Sequence, residues 1–498
     1  MHRIHQLLDD KPPGNLAVID FDGRHVSYGN LRNSAAEIAQ ILDEHGLRAG
    51  DRVILVSENC ALFAAVLFAS SRLSAWITLV NARQSAPEID AIIAHSGARC
   101  LVFTTVCSEQ ATAHAHRLGA ATIGQSDFGP LVVTPVARCD IEPVDPTDRQ
   151  VATLLYTTGT TSAPKGVMLT HRNLLFNSET TARYGRLTTD DRVLCVLPGT
   201  HIYCLASAFL PAIYAGAAAI FVPRFDPAGT IAHLRGGITR FPAVPQMFAA
   251  IMERLEASGE ALDAPKLRHI GTGGAPLDPD LKLRVQRHFQ LPLNNGYGLT
   301  ETSPSVAATH NDNPRKDCAV GRPYQGIDLY IDKPNSEGIG EVWIKGENVM
   351  KGYYRDPDRT AEVLTTDGFF KTGDLARIDP DGTLHIVGRL KELIIRSGFN
   401  VYPPEIEAML TRHPQILEAS VVGRTKAGNE EILAFVKSDS PLLEKDLRLW
   451  LKDRLVAYKI PQHILFVDAY PAAATGKIFK HKLVSHFAAM LAERDKVP

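Results

Sequence analysis

The sequence predicts an α/β protein with a large N-terminal part built on parallel-type sheets and a smaller α+β C-terminal part. Three observations carry this. The chain has 498 residues, more than one hydrophobic core ordinarily serves. Over its first two thirds, short β-branched or apolar runs alternate with alanine-rich stretches, the pattern of strands and helices in sheets covered on both faces. From about residue 390 onward the alternation gives way to a compact mixture of helix and strand.

Taken in order, 52–56 reads as a strand, 61–71 as a helix and 100–104 as a strand, with later strands at 192–197, 217–222 and 267–271. The longest apolar stretch, 206–223, is interrupted by Pro211 and Gly216, so it reads as a buried helix, a glycine turn and a buried strand rather than a membrane span. Between 321 and 352 short strands with Gly and Pro turns, such as 328–331 and 340–344, suggest a small antiparallel, β-barrel-like unit. Asp379-Pro-Asp-Gly382 has the chemistry of a hairpin turn. In the last part, 404–413 and 444–455 read as helices, and 419–422 and 432–436 as strands. No repeat or low-complexity tract separates the parts, so a tight hinge is expected between them.

Composition narrows the function. The chain is 45% hydrophobic and 22% charged, with a formal net charge of −2, and it has no long basic block, which argues against a nucleic-acid partner. Its seven cysteines form no Cys-x-x-Cys pair and fit a reducing cytoplasm. Acids at Asp9 and Asp10 stand where a signal peptide needs its apolar region, so a cytoplasmic location is expected. His114 and His116 have no acid or cysteine cluster beside them and read as a solvated helix face.

The most informative segment is Leu154-Leu-Tyr-Thr-Thr-Gly-Thr-Thr-Ser-Ala-Pro-Lys-Gly166. An apolar run ends in hydroxyls and a glycine, followed by Lys165. Glycine allows close backbone approach, the hydroxyls donate hydrogen bonds, and the lysine supplies a point charge, so the segment suits a polyphosphate. It is not a P-loop, because the residue that follows a four-residue gap after Gly159 is Pro164, not glycine. Nor is there a dinucleotide fingerprint: Gly271-Thr-Gly273-Gly-Ala-Pro276 ends in proline.

Four further islands follow. Gly273-Gly-Ala-Pro-Leu277 could let a flat ring lie against the backbone, or be a plain strand-to-helix turn. Asn294-Asn-Gly-Tyr-Gly-Leu-Thr-Glu301 offers an aromatic ring between glycines, then a hydroxyl and a carboxylate able to hold Mg2+; a helix N-terminal acid is the alternative for Glu301. In Lys371-Thr-Gly-Asp374 and Gly388-Arg389-Leu-Lys391-Glu392, Asp374 and Arg389 could grip a ribose or simply pair with each other. Thr475-Gly-Lys477 presents a lysine that is either a ligand or an ordinary surface residue.

In order and together, these five islands resemble the adenylate-forming enzymes: acyl- and aryl-CoA ligases, luciferases and the adenylation domains of peptide synthetases. Two departures stand out, Ser162 for the usual glycine and Phe479-Lys480 for the usual basic pair. The resemblance implies an N-terminal adenylate-forming domain, 1–389, and a mobile C-terminal domain, 390–498. It implies that Thr157, Thr158, Gly159, Thr160, Thr161 and Lys165 hold the β- and γ-phosphates. Gly274, Ala275, Pro276, Asn295, Gly296 and Tyr297 would surround adenine, Thr300 would touch the α-phosphate, and Glu301 would bind Mg2+. Asp374 and Arg389 would hold the ribose, and Lys477 would bridge the substrate carboxylate and α-phosphate. Lys391 falls at the hinge, and Ser397, Gly398 and Phe399 at the pantetheine channel.

The implied reaction activates a carboxylic acid with ATP as an acyl-AMP, then transfers the acyl group to coenzyme A as second substrate. The stretch from Leu197 to Ser207 is similar to that of plant coumarate-CoA ligases, which places His201 near the carboxylate or the channel, and Tyr203 and Ser207 at the acyl pocket. A hydroxycinnamate-type acid is favoured. Medium-chain aliphatic acids and a carrier protein as acceptor are the alternatives, and a homodimer is an open assembly.

Overall fold

The computed structural model describes residues 2–157, 164–396, 399–426, 429–472 and 478–495. Two large sheets dominate. The first runs, edge to edge, Gly352–Tyr353, Lys165–Thr170, Val151–Thr157, Trp76–Asn81, Arg52–Ser57, Cys100–Phe103, Gly129–Val133 and Ala121–Ser126. Arg52–Ser57 is buried along its whole length, as an Arg-Val-Ile-Leu-Val-Ser run without polar alternation requires, and its neighbours on both sides are parallel to it.

The second sheet runs Arg322–Pro323, Ser305–Ala308, Leu293–Gly298, His269–Thr272, Arg240–Ala243, Arg192–Cys195, Ala218–Phe221, Leu16–Ile19 and His25–Ser27. Its middle is parallel and its margins antiparallel. Helix Ala61–Arg72 is apolar all round and buried from Ala61 to Ser71; Phe63 packs edge-on against Phe209 and Phe221, binding the two layers into one core.

The expected buried helix, turn and strand in 206–223 are present: helix Leu210–Ala215 ends at Gly216, whose φ of 76° needs glycine, and strand Ala218–Phe221 follows. The strand expected over 192–197 stops at Cys195, whose carbonyl still accepts from Val222 N at 3.2 Å; beyond it the Leu197 carbonyl accepts from the Asn59 side chain at 2.8 Å. The barrel-like unit takes the form of a four-stranded antiparallel sheet, Ile327–Asp332, Gly340–Gly346, Phe370–Ile378 and Leu384–Arg389, without closure among the described residues. The hairpin at Asp379 is formed, with Gly382 N donating to Asp379 O at 2.9 Å.

Beyond the turn Leu390–Glu392 the chain builds a separate core. Strands Ile416–Lys426, Asn429–Ser438 and His463–Phe466 pack against helices Pro403–Thr411 and Glu444–Lys452 through Ile406, Leu410, Val421, Ile432 and Leu447. Thr411 Oγ1 reaches back to Asp278 Oδ2 at 3.3 Å.

Candidate active site

The phosphate-type segment connects two paired strands. Thr157 ends Val151–Thr157, Lys165 opens Lys165–Thr170, and the two residues are register partners across an antiparallel hairpin. Thr158, Gly159, Thr160 and Thr161 lie outside the described residues. On the other side of the lysine strand, Tyr353 pairs with Val167. Lys165 Nζ lies 5.9 Å from the centre of the Tyr353 ring, and Tyr353 Oη donates to Glu301 Oε1 at 2.9 Å. Burial and then the Arg359 guanidinium lower the Lys165 pKa, with Lys391 adding to this and Glu301 opposing it. Lys165, Arg359 and Lys391 thus stand against two carboxylates, Glu301 and Asp356, the latter 3.5 Å from Arg359, and an anion would offset the remaining cationic excess.

Thr300 and Glu301 lie on the short turn Thr300–Thr302, anchored where Met350 N donates to Glu301 O at 2.8 Å. The turn can sit close to the strand before it because residue 298 is glycine; a side chain there would collide with the Pro304 carbonyl. A partly exposed carboxylate held at one oxygen by Tyr353 suits Mg2+, which takes few protein ligands. Among the described residues, the group Glu431, His463 and Asp495 also brings potential ligands together, but Arg424 and Lys426 already bridge its acids.

The nucleoside-type islands meet at the ends of neighbouring parallel strands. Thr272 and Asn295 are register partners, so Gly274, Ala275 and Pro276 emerge beside Asn295, Gly296 and Tyr297. Gly274 adopts φ 78°, and Pro279 with the Asp278 cap starts the next helix, Asp278 accepting from Leu281 N at 2.8 Å. Tyr297 Oη donates to Asp374 Oδ2 at 2.6 Å, and Arg389 Nε lies 3.2 Å from Asp374 Oδ1. Asp374 and Arg389 are also register partners, so the pairing and a shared ligand are compatible. Burial, then Asp374, raises the Tyr297 phenol well above its usual pKa.

Tyr203 lies along Gly273 and Gly274: a Cβ on the first would be 3.8 Å from its Oη, and on the second 4.0 Å from its Cδ1. His201 caps the short helix Ile202–Cys204, accepting from Tyr203 N on Nδ1 at 3.3 Å. The following turn, Leu205–Phe209, is a π-helical insertion of the kind often found at functional sites, and it carries Ser207. Ser207 Oγ is 3.0 Å from Ser305 Oγ, which lies 3.5 Å from Thr181 Oγ1.

Lys477, Ser397 and Gly398 lie outside the described residues. Ala472 and Ile478, on either side of the lysine segment, are bridged in antiparallel fashion. Phe399 is exposed and stacks on Tyr458 with ring centres 4.5 Å apart. Lys391 sits in the turn Leu390–Glu392, and Lys480, one of the two departures in the sequence, contacts Glu392 at 3.1 Å and Glu407 at 2.8 Å. Burial pulls the Lys480 pKa down, but Glu407 and Glu392 leave it raised overall, so this lysine stays charged in a structural triad. Tyr353, Ser305 and Asn59 were not singled out in the sequence; each acts through a partner far away in the chain and carries no local signal.

Residues 8–354 match the family described as AMP-binding enzyme, and residues 405–477 match the AMP-binding enzyme C-terminal domain. The chain is 33% identical over 480 residues to a feruloyl-CoA synthase of Amycolatopsis sp, covering 93% of this chain and 94% of that one. It is 34% identical over 498 residues to 4-coumarate–CoA ligase 5 of Oryza sativa subsp. japonica, with 94% and 90% covered. Its fold is similar to that of the o-succinylbenzoate coenzyme A synthetase of Bacillus subtilis in complex with ATP and magnesium ion, with a TM-score of 0.83, 25% identity, and 97% and 99% covered.

Proposed function

The chain belongs to the AMP-binding enzyme family and is an AMP-forming acyl/aryl-CoA ligase using ATP, Mg2+ and CoA; from that premise we propose that its acid is of the hydroxycinnamate type. The observation carrying this reading is the acyl end, where the Tyr203 phenol lies along Gly273 and Gly274 and the next turn of the chain carries Ser207, paired with Ser305. A flat ring fits against glycine backbone, and hydroxyls give a ring substituent hydrogen-bond partners. The two hydroxyls pair with each other at 3.0 Å, so a bare aliphatic chain would leave neither unpaired but would forgo the hydrogen bonds that a ring substituent gains there.

In the first half-reaction the substrate carboxylate attacks the α-phosphorus of ATP, giving acyl-AMP and pyrophosphate. Thr157, the segment 158–161 and Lys165 hold the departing pyrophosphate. Asp374 and Arg389 fix the ribose, while Gly274, Ala275, Pro276, Asn295, Gly296 and Tyr297 surround adenine. Glu301 would hold the magnesium ion, which would neutralise phosphate charge there. Thr300 donates to the α-phosphate, and Lys477 bridges it to the carboxylate. Two anions must approach each other, so cations placed where charge accumulates, and fixed orientation, supply much of the rate.

In the second half-reaction the CoA thiol attacks the acyl carbon, the acyl–phosphate bond breaks, and AMP leaves. His201 stands beside the thiol's approach, and Ser397, Gly398 and Phe399 line it. The domain boundary falls at 389/390, with Lys391 as the hinge and the independent core from Ile394 onward as the moving body. One sequestered site then serves both steps.

Acid-dependent ATP–pyrophosphate exchange over aryl and aliphatic acids, followed by product analysis with CoA, tests the reading. Highest kcat/KM for hydroxycinnamates and formation of their CoA thioesters is the expected result. A clear preference for medium-chain aliphatic acids would reject the proposed substrate class.

A further inference from the structure

We propose that Asn59 is a positioning residue for the acyl end of the site, holding in place the loop that presents His201 and Tyr203. The proposal rests on the reading of those two residues given above and deepens it.

Asn59 is 1% exposed and lies between strand Arg52–Ser57 of the first sheet and helix Ala61–Arg72. Its side chain crosses to the second sheet. The two hydrogens of Nδ2 are shared among the carbonyls of Leu197 at 2.8 Å, Cys195 at 2.9 Å and Val222 at 3.1 Å, and Oδ1 accepts from Gly199 N at 2.6 Å. Only a primary amide offers donors and an acceptor together at this reach; an aspartate would bring no donor. Residues 196–200 belong to no strand or helix, so this one side chain satisfies backbone groups that a sheet ladder would otherwise hold.

Gly199 is pressed onto the same clamp. A Cβ there would lie 3.0 Å from Asn59 Oδ1 and 3.0 Å from the Phe63 ring. From Gly199 the chain has two residues to His201, whose N donates to Pro198 O at 2.9 Å and whose O accepts from Leu205 N at 3.1 Å. The position of His201, and the start of the turn that orients Tyr203, are therefore set from the clamp outward.

The test uses the full-length enzyme with four substitutions: Asn59→Ala, Asn59→Asp, Gly199→Ala and Tyr203→Ala. Asn59→Asp keeps shape and acceptor but loses both donors, and Gly199→Ala shifts the loop without removing a hydrogen-bonding group. We expect the KM for acid to rise about tenfold or more in the Asn59 and Gly199 variants, with the ranking of ring-substituted acids moving toward that of Tyr203→Ala, while the KM for ATP stays within about twofold. A residue that only stabilises the fold would lower the melting temperature and yield but leave acid KM and ranking unchanged in the folded enzyme, and that result overturns the proposal. If the Asn59 variants do not fold, Gly199→Ala decides by the same readouts. An unchanged ranking in Tyr203→Ala rejects the acyl reading itself, and the proposal with it; a changed ranking there with unaffected Asn59 and Gly199 variants rejects the positioning role alone.

Discussion

Tyr297 Oη donates to Asp374 Oδ2 at 2.6 Å, so one carboxylate joins two motifs 77 residues apart. With Arg389 at the other oxygen, Asp374 is held from both sides. A hydrogen bond to a charged group contributes about 1.5–3 kcal/mol. Tyr297→Phe is therefore expected to raise the KM for ATP by about tenfold or more while leaving the ranking of acids unchanged, as steady-state kinetics over several acids will show.

Lys477→Ala should abolish acid-dependent ATP–pyrophosphate exchange and largely spare thioester formation from supplied acyl-AMP. Single-turnover assays of each half-reaction measure this. Equal loss in both would contradict the role proposed for the lysine.

Burial, Arg359 and Lys391 lower the Lys165 pKa. The charged form is the one that holds phosphate, so kcat/KM for ATP should fall as pH rises through this lowered value, earlier than for an ordinary lysine. Lys165→Arg should move that alkaline fall to higher pH. For stability the sign is opposite to that of a paired lysine: the buried charge destabilises the fold below the lowered pKa, and the penalty fades as pH rises toward the unfolded value. Proton uptake on MgATP binding, measured calorimetrically in two buffers at alkaline pH, is the companion observable.

Tyr353→Phe removes the hydrogen bond that orients Glu301. Losses of outer-sphere partners typically cost about 10–100-fold in metal affinity. The expected outcome is a rise of about tenfold in the Mg2+ concentration needed for half-maximal exchange, with acid ranking unchanged.

Much of this was legible in the sequence where the signal is local. Alternating apolar runs located the strands, and Pro211 with Gly216 located the turn within 206–223. The motif residues could be ordered along the chain, but not arranged. Nothing near Tyr353 marks it as the partner of Glu301, 52 residues away, and nothing near Asn59 points to Gly199, 140 residues away. Strand ends were misplaced for the same reason: beyond Cys195 the Leu197 carbonyl is met by a side chain 138 residues away. Periodicity reports which face a residue turns inward, not what it meets there.

The pairing of Thr157 with Lys165 has an evolutionary side. Both flanks of 158–163 are clamped in register to a sheet, so the backbone position of the lysine is set by strand pairing. Drift in that stretch, including the serine at 162, can retune how phosphate is gripped without displacing the charge that receives it. The hairpin gives the lysine a fixed place beside the segment that carries the phosphate-binding hydroxyls.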